Sequence, residues 1–330
     1  MVANAAYSCA AEDDLLLFAS PADAEDFELQ GEYAGRMLLR GTEQDIGFQV
    51  VAMGSRQFKV VGYPGGLPGE GWNGGETLAT DFFGVQGKLI LMEGGAAIIR
   101  DLGIDLLDDD GIRVGRVKKV HRKSPTLGMP PPPHAVVLFD GSNADAFENA
   151  HVTPDGLLMP GVMSRERFQD FRLHLEFRTP FMPAARGQGR GNSGVYLQGR
   201  YEVQILDSFG LEGQDNECGG VYGVKRPDVN MAFPPNAWQT YDIDFQAPRF
   251  DDVGRKLSDA RLTVRHNGVL IQKDASVPGP TRASKVSEGP EPGPLYLQDH
   301  GNPVRFRNIW IVKAPADTTG TDESARPAVP

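Results

Sequence analysis

The sequence predicts an all-β chain in which a two-sheet sandwich follows a smaller β-rich domain. Glycine and proline contribute 40 and 25 of the 330 residues and break the apolar segments into short runs. Short runs with frequent turn residues favour strands over helical bundles or repeated βαβ units. In addition, Gly191–Asp207 and Leu295–Ile311 alternate apolar and polar residues with period two, which is typical of strands with one buried and one solvent-facing side.

Composition divides the chain into five segments. We predict a disordered lead-in at 1–13, a β-rich accessory domain at 14–122, a Pro-rich linker at 123–134, a sandwich domain at 135–314 and a disordered tail at 315–330. The linker contains four consecutive prolines, which favour an extended, semi-rigid spacer. The tail is small, polar and Pro-rich, a composition typical of disorder.

In the accessory domain, short β-favouring runs predict five strands, at Phe27–Leu29, Gly47–Ala52, Phe58–Gly62, Lys88–Met92 and Ala96–Arg100. Asp108–Gly111 predicts a hairpin-type turn. The segment Tyr63–Gly75 is too rich in glycine and proline for regular structure, and its length suits a functional loop or a surface excursion.

In the second domain we predict nine strands: Val136–Phe139, Phe171–Arg178, Gly194–Gln198, Tyr201–Leu206, Gln239–Gln246, Arg261–His266, Val269–Lys273, Gly293–Gln298 and Val304–Val312. Asn267-Gly268 lies between two alternating runs and predicts a tight hairpin. One short helical turn is expected at Ser164–Phe168. Strands of this length with regular turns favour two packed sheets.

The net charge and the composition limit the classes of partner that the chain can bind. The net charge of −11 is spread along the chain and repels phosphate backbones, so nucleic-acid binding is not expected. No apolar run approaches the ~20 residues of a membrane span. A disulfide between Cys9 and Cys218 is not expected, and no Cys or His spacing indicates zinc. The first residues lack the features of a secretory signal.

Three polar residues follow one another along the first alternating stretch. Glu202 and Gln204 share a strand face, and Asp207 returns to that face only if a β-bulge intervenes. Two carboxylates on one face can divide acid and base work between them. A solvated strand face that ends in a turn aspartate explains the same spacing equally well.

A second group of candidates lies near the end of the other stretch. His300 can exchange protons near neutral pH, and Gln298 or Asp299 could orient its ring. Asn192 lies in a Gly-rich loop and could donate to a sugar, although its surroundings are also ordinary turn chemistry. A sheet face with Glu, Gln, Tyr and His is more selective than solubility requires, which indicates a polyhydroxylated ligand.

Residues 135–314 resemble the 3-keto-disaccharide hydrolase family. The resemblance is carried by seven motifs in the same order: Val137–Gly141, Phe168–Arg178, Gly191–Leu197, Tyr201–Asp207, Val221–Gly223, Asn236–Trp238 and Leu297–Ile309. It implies a concanavalin-like jelly roll of two curved antiparallel sheets with a ligand cleft on the concave face. Gly65–Gly69 and Ser124–Gly128 resemble an accessory region that precedes this domain in some members.

The resemblance also sets this chain apart from ordinary glucanases of the same fold. Jelly-roll glucanases carry Glu-x-Asp-x-x-Glu on a concave strand, and the same spacing here holds Glu202, Gln204 and Asp207. Glutamine cannot tune a neighbouring carboxylate by charge, and aspartate is one methylene shorter than the usual acid. Both departures argue against retaining glycosidase chemistry.

The family resemblance implies a different reaction. A ketone at C3 acidifies the hydrogen on C2, a base removes that hydrogen, and the C1 substituent leaves by elimination; addition of water completes a net hydrolysis. The catalytic candidates are Glu202 or His300 as base, the other of the two as acid, and Asp207. The substrate-binding candidates are Asn192, Tyr196, Arg200, Gln204, Tyr222, Gln298 and Asp299.

The resemblance implies a carbohydrate as partner and leaves two other functions open, a non-catalytic carbohydrate-binding module and a conventional β-glucanase. It implies no defined cofactor; a divalent cation at the enolate stays open because no ligand set is evident. A periplasmic or secreted location is implied, although no signal peptide is visible. The sequence does not predict an oligomeric state.

Overall fold

The computed structural model describes residues 21–86, 89–92, 95–100 and 103–314. The predicted lead-in, 1–13, and tail, 315–330, lie outside the described residues. The predicted fold class is confirmed, because the chain forms a small β-domain followed by two antiparallel sheets. No helix in the described residues is long and apolar enough to cross a membrane.

The first domain begins with a helix, α1 (Pro21–Leu29). The strand predicted at Phe27–Leu29 is therefore wrong. Proline is well tolerated in the first helical turn, and Asp23 lies near the positive end of the helix dipole. Phe27 also packs edge-on against Phe181 of the second domain, with ring centroids 5.2 Å apart. Tertiary packing of this kind overrides the local preference of an aromatic residue for strands.

After the helix, eight antiparallel strands form a closed barrel. They are β1 (Gly31–Leu39), β2 (Thr42–Gly54), β3 (Gln57–Pro64), β4 (Leu78–Gln86), β5 (Leu89–Met92), β6 (Gly95–Arg100), β7 (Gly103–Leu107) and β8 (Arg113–Val120). Each strand pairs with the next, and β8 closes on β1. Four of the predicted strands lie within β2, β3, β5 and β6, apart from Lys88, which lies outside the described residues. The predicted turn at Asp108–Gly111 joins β7 to β8.

The second domain has two main sheets. Its strands are β9 (Val136–Phe139), β10 (Phe147–Glu148), β11 (Val162–Phe168), β12 (Phe171–Arg178), β13 (Ser193–Leu197), β14 (Tyr201–Ile205), β15 (Gln239–Gln246), β16 (Arg249–Phe250), β17 (Lys256–Ser258), β18 (Ala260–His266), β19 (Val269–Val277), β20 (Gly293–Leu297) and β21 (Arg305–Lys313). One sheet has the order β10-β11-β20-β13-β14, and the other β19-β18-β15-β12-β21-β9. Strands β16 and β17 form a separate pair.

All nine predicted strands of this domain occur, and β9, β12 and β15 have the predicted bounds. The hairpin at Asn267-Gly268 is confirmed; both residues have positive φ, 51° and 80°, as a type I′ turn requires. The helical turn predicted at Ser164–Phe168 is wrong. This segment belongs to β11, and Phe168 is buried opposite Gly293 of β20.

The apolar sides of the two sheets face each other and form one continuous core. Val195 and Val203 of the five-stranded sheet and Leu175 and Ile243 of the six-stranded sheet are fully buried there. The predicted alternation therefore assigns the inward side chains correctly. Stacking two half-apolar sheets in this way removes most of their apolar surface from water.

The linker segment lies against the outer surface of the six-stranded sheet. The side chain of Thr126 donates a hydrogen bond to Asp242 at 2.7 Å, and Ser124 lies 2.6 Å from the hydroxyl of Thr240. Beneath the segment, His174 stacks on Trp310 and contacts Asp242 through Nδ1. Part of the predicted spacer is thus fixed to the sandwich.

Glu176 lies at the centre of the contact between the linker segment and the six-stranded sheet. It is fully buried and accepts hydrogen bonds from the backbone N–H of Gly128, Arg307 Nε and Asn308 Nδ2 at 2.5, 2.7 and 2.9 Å. Burial alone would raise the pKa of Glu176, but hydrogen bonds from His174 and these groups lower it to about 2. The carboxyl is therefore ionised at neutral pH.

We expect Glu176→Ala to lower the free energy of unfolding by about 3 kcal/mol at pH 7, because it leaves several buried donors without an acceptor. Because the folded-state pKa is lowered from 4.5, this stabilisation is complete above pH 4.5 and is lost as the pH falls toward 2. Urea unfolding of the wild type and Glu176→Ala at pH 7 and pH 3 measures this stabilisation, with Glu148→Ala at an exposed position as control. An equal loss in the free energy of unfolding for Glu176→Ala and Glu148→Ala would contradict the role of Glu176 in holding the linker segment on the sheet.

Candidate active site

The candidate site lies on the outward face of the five-stranded sheet. In the register of its strands, Tyr196 of β13 is paired with Glu202 of β14 and with Tyr296 of β20. Gly194 is paired with Gln204 in the neighbouring row. The alternation places these five residues on the side opposite the core. The predicted grouping of Glu202 with Gln204 and Tyr196 therefore has a structural basis.

The alternation predicted that this face is exposed to solvent, but in the structure it is buried. The exposed fractions of Tyr196, Glu202 and Gln204 are 0%, 2% and 1%. Segments from elsewhere in the chain cover the face, because Thr281 contacts the Glu202 backbone and Gln188 contacts Gln204. Period-two alternation shows that the two faces differ in polarity, but not whether loops cover the polar one.

Glu202 lies at the centre of the face. A Cβ atom at Gly194 would come within 2.1 Å of Glu202 Oε1, so glycine leaves room for the carboxyl in this position. Burial raises the pKa of Glu202 to about 7, against a smaller opposing effect of the hydrogen bond from Tyr196. Within the described residues, no cation contributes to that pKa. The carboxyl can therefore gain and lose a proton near neutral pH.

The hydroxyl of Tyr196 lies between two acceptors. Its oxygen is 2.7 Å from Glu202 Oε2 and 2.8 Å from the carbonyl oxygen of Arg282. A phenol has one proton to donate. When Glu202 is protonated, its proton can bind the Tyr196 oxygen while Tyr196 donates to the Arg282 carbonyl. When Glu202 is ionised, Tyr196 donates to Glu202 instead. The network can thus satisfy either protonation state of Glu202.

A group of amide side chains continues the face beyond Glu202. Gln204 Nε2 donates to Gln188 Oε1 at 2.9 Å, and Asn192 Nδ2 donates to the Gln188 backbone oxygen at 2.7 Å. Gln204 Oε1 is buried and has no hydrogen-bond partner among the residues described. A buried acceptor without a donor is costly. A ligand hydroxyl that reached this oxygen would remove that cost.

The predicted residues near β20 form the rim of the face. Gln298 is half-buried, and its Nε2 donates to the Tyr196 hydroxyl at 3.3 Å. Asp299 and His300 are exposed, and no hydrogen bond joins His300 to Glu202 in the described part of the chain. Tyr222 is half-buried, and its backbone N–H donates to the Glu202 carbonyl oxygen. The rim therefore offers polar groups that a ligand can reach.

Two predicted site residues have contacts typical of structural roles. Arg200 is buried and donates to Gln198 Oε1 and to the carbonyl oxygens of Ser287 and Glu291. These acceptors occupy its guanidinium, so it does not face the Glu202 carboxyl.

Asp207 lies on the other side of the amide group. Its Oδ2 accepts from Arg190 Nε at 2.6 Å, and its Oδ1 accepts from the backbone N–H of Phe209 at 3.3 Å. Burial raises the pKa of Asp207, and the Arg190 guanidinium opposes that rise. The side chain is fully enclosed, so a role in binding Arg190 explains its contacts. Its predicted catalytic role stays a prediction.

Sequence reasoning missed four contributors to the site: Gln188, Thr281, the Arg282 carbonyl and Asn302. Asn302 Oδ1 accepts from the backbone N–H of Asn192 at 2.8 Å. All four lie in segments without periodicity, and nothing local in the sequence connects them with β14. Among the described residues there is also no group of three or more His, Cys, Asp or Glu suited to a metal ion.

Two solved structures resemble part of this chain. A crystal structure of a candidate glycosyl hydrolase from Parabacteroides distasonis shares 34% identity, with 56% of this chain and 85% of that chain covered and a TM-score of 0.51. A second candidate glycosyl hydrolase from the same organism shares 18% identity, covers 55% and 94% of the two chains and has a TM-score of 0.39. Among curated proteins, none matches this chain significantly.

A family model described as a 3-keto-alpha-glucoside-1,2-lyase-like domain matches residues 134–312. Together with the first structural neighbour, this match indicates a glycosyl hydrolase-like function, an enzyme that acts on glycosides and a carbohydrate as its partner. More than half of the chain is covered by the match and carries the predicted motifs. The chain therefore belongs to the family of the 3-keto-alpha-glucoside-1,2-lyase-like domain.

Proposed function

We propose that this protein cleaves 3-keto-glycosides, with Glu202 as the base that removes the proton from C2. The observation that carries the proposal is the buried Glu202 carboxyl, whose pKa is raised to about 7 and whose one side-chain hydrogen bond within the described residues is to the Tyr196 hydroxyl. A base with a pKa near the working pH combines a useful ionised fraction with enough basicity to remove a proton.

The proposed reaction proceeds in balanced steps. The Glu202 carboxylate accepts the C2 proton, and the electron pair of the broken bond forms an enolate with the C3 oxygen. The enolate returns its electrons to form a C1–C2 double bond and expels the C1 substituent, whose oxygen takes a proton. Water added at C1, with a proton returned to C2, completes a net hydrolysis.

The neighbouring amides suit the charge that develops on the C3 oxygen. Donors fixed before the reaction stabilise an oxyanion more than mobile water does. Gln204, Asn192 and Gln298 carry amide donors near Glu202 and Tyr196; Gln204 and Asn192 donate to Gln188 in this structure and would turn to the substrate oxygen when it binds. We assign Glu202 as base rather than His300, because His300 is exposed and no hydrogen bond joins it to Glu202 or Tyr196 among the residues that the structure describes. As an exposed rim group, His300 suits the protonation of the leaving oxygen.

The burial of Glu202 adds one requirement. A sugar ring can approach the carboxyl only if a covering segment moves, since both Glu202 and Tyr196 are enclosed. Active-site closure of this kind excludes water and is a common step in catalysis. The exposed rim residues Asp299 and His300 would then be the first contacts of an arriving substrate.

Incubation with 3-oxidised disaccharides and their unoxidised parents tests the proposal by mass spectrometry. We expect release of the aglycone sugar from the oxidised substrates alone. Cleavage of unoxidised glucan would favour a β-glucanase. Thermal stabilisation by sugars without any product would favour a carbohydrate-binding module. Either result contradicts the proposal.

The pH dependence of kcat/KM gives a second prediction. Since the base must be ionised, kcat/KM should fall about tenfold per pH unit as the pH drops below the Glu202 pKa of about 7. Steady-state rates on a 3-keto-disaccharide between pH 5 and 9 measure the profile. A rate that is highest at pH 5 would contradict Glu202 as the base.

A further inference from the structure

We infer that the first domain belongs to the substrate-binding site, because the C-terminal end of β2 fixes the loop at 186–190 that presents Gln188 beside Gln204. Arg186 and Arg190 are the positioning residues in this arrangement, and Gln188 is the sugar-binding side chain that they place. The inference rests on the proposed function and assigns the first domain a role in it.

The loop that contains Gln188 is joined to the barrel through two backbone carbonyl oxygens of β2. Arg186 Nη2 donates to the carbonyl oxygen of Met53 at 2.7 Å, and Arg190 Nη1 donates to that of Ala52 at 3.2 Å. Gly54 lies beside the backbone of Ala184 and has a φ of +82°, a conformation that favours glycine. The barrel therefore offers two fixed acceptors to one short loop.

The two arginines flank a single 3-10 turn, Gly187–Gly189. The backbone N–H of Gly189 donates to the Arg186 carbonyl, and that of Arg190 donates to the Gly187 carbonyl. Gln188 lies at the middle of this turn, so its position depends on both ends. Because the glycines on either side give little stiffness of their own, the arginine contacts add to the restraint on the turn from both of its ends.

From the turn, Gln188 reaches the amide group of the site. Its Oε1 accepts from Gln204 at 2.9 Å and from Asn192 at 3.2 Å, and its Nε2 donates to the Asn216 carbonyl at 2.8 Å. Gln188 is half-buried, whereas Gln204 and Asn192 are almost fully enclosed. Gln188 is therefore the member of this group that a sugar hydroxyl meets first.

Arg190 also ties the loop to the end of β14. Its Nε binds Asp207, and its backbone oxygen accepts from the Asp207 N–H at 3.2 Å. Loss of this buried ion pair would disturb folding itself. Arg186 is the better probe, since it is exposed and, within the described part of the chain, its side chain donates to the carbonyl oxygens of Met53, Pro183 and Ala185 alone.

The test compares Arg186→Ala, Gln188→Ala and the double variant on a 3-keto-disaccharide, with Arg172→Ala on the opposite sheet as matched control. We expect Arg186→Ala to raise KM about fivefold with kcat changed less than twofold, the scale of one hydrogen bond. In the Gln188→Ala background it should add nothing, because residues that act through one contact are not additive. Arg186→Lys, which keeps a donor, should restore part of the loss.

Additive losses in the double variant, or an Arg186→Ala that behaves like Arg172→Ala, would overturn the inference. Hydrogen–deuterium exchange of the amides of residues 187–192 gives a readout independent of turnover, and Arg186→Ala should exchange faster there than the control. If the wild-type protein does not cleave 3-keto-disaccharides, the proposed function fails. Amide exchange of residues 187–192 then tests the positioning role by itself. If Arg186→Ala exchanges there at the same rate as the wild type, the positioning role is overturned.

Discussion

Glu202→Gln should lower kcat on a 3-keto-disaccharide by about 10²- to 10⁴-fold, the usual contribution of a positioned general base. The amide keeps the size of the carboxyl and can donate to Tyr196, so the network beside the Arg282 carbonyl is preserved. Steady-state turnover with the exposed Glu148→Gln as control measures the effect. Full turnover of Glu202→Gln would remove Glu202 from the mechanism.

The same substitution should stabilise the fold at high pH. The Glu202 pKa is about 7 in the folded protein and near 4.5 in the unfolded chain, so the folded state holds a proton that the unfolded state has released. Stability therefore falls as the pH rises from 4.5 to 7, by about 3 kcal/mol. Glutamine is neutral throughout and avoids this loss.

Thermal unfolding at pH 5 and pH 8 measures the difference. We expect equal Tm values for wild type and Glu202→Gln at pH 5, and a higher Tm for the variant at pH 8. Loss of activity combined with gain of stability is typical of a group held in an unfavourable environment for function. A variant that is less stable than wild type at pH 8 would show that the carboxylate stabilises the fold.

Asp207→Asn should destabilise the protein by about 3–5 kcal/mol, because it leaves the Arg190 guanidinium buried without an anion. Urea unfolding measures this loss. In the double variant Asp207→Asn, Arg190→Gln the loss should be smaller than the sum of the single losses, since neither charge is then buried alone.

This substitution also separates the two interpretations of Asp207. If its role is to hold Arg190, kcat measured below the unfolding temperature stays near that of wild type. If Asp207 acts on the substrate, stability changes little while kcat falls strongly. The second outcome would contradict the structural role that its enclosed ion pair indicates.

The alternation in the sequence predicted the strands that carry the site because register and side-chain direction follow from local pattern. Glu202 and Tyr196 share a face for this reason. The burial of that face could not be predicted, because the residues that cover it, Gln188 and Thr281, come from segments without periodicity. Burial is also what sets the pKa of Glu202, so the functional property of this residue depended on tertiary structure.

The barrel was harder to predict than the sandwich. Strand β1 contains Gly31 and Gly35, and four of the eight residues of β8 are basic, so neither shows a clear run of apolar residues. Gly35 lies against the backbone of β8, where a Cβ would come within 2.1 Å of the Arg116 oxygen. A glycine that weakens the local strand pattern thus permits the close approach that joins the two ends of the barrel.

Exchange of the C2 hydrogen tests the central claim most directly. Wild-type protein and Glu202→Gln would be incubated in D₂O with a 3-keto-disaccharide, and deuterium at C2 of the released 3-keto sugar would be measured by mass spectrometry and NMR. Proton abstraction by Glu202 predicts one deuterium at C2 with the wild type and almost none with the variant under equal conditions. Product from the wild type without deuterium at C2, beyond the exchange seen in enzyme-free controls, would contradict elimination through an enolate.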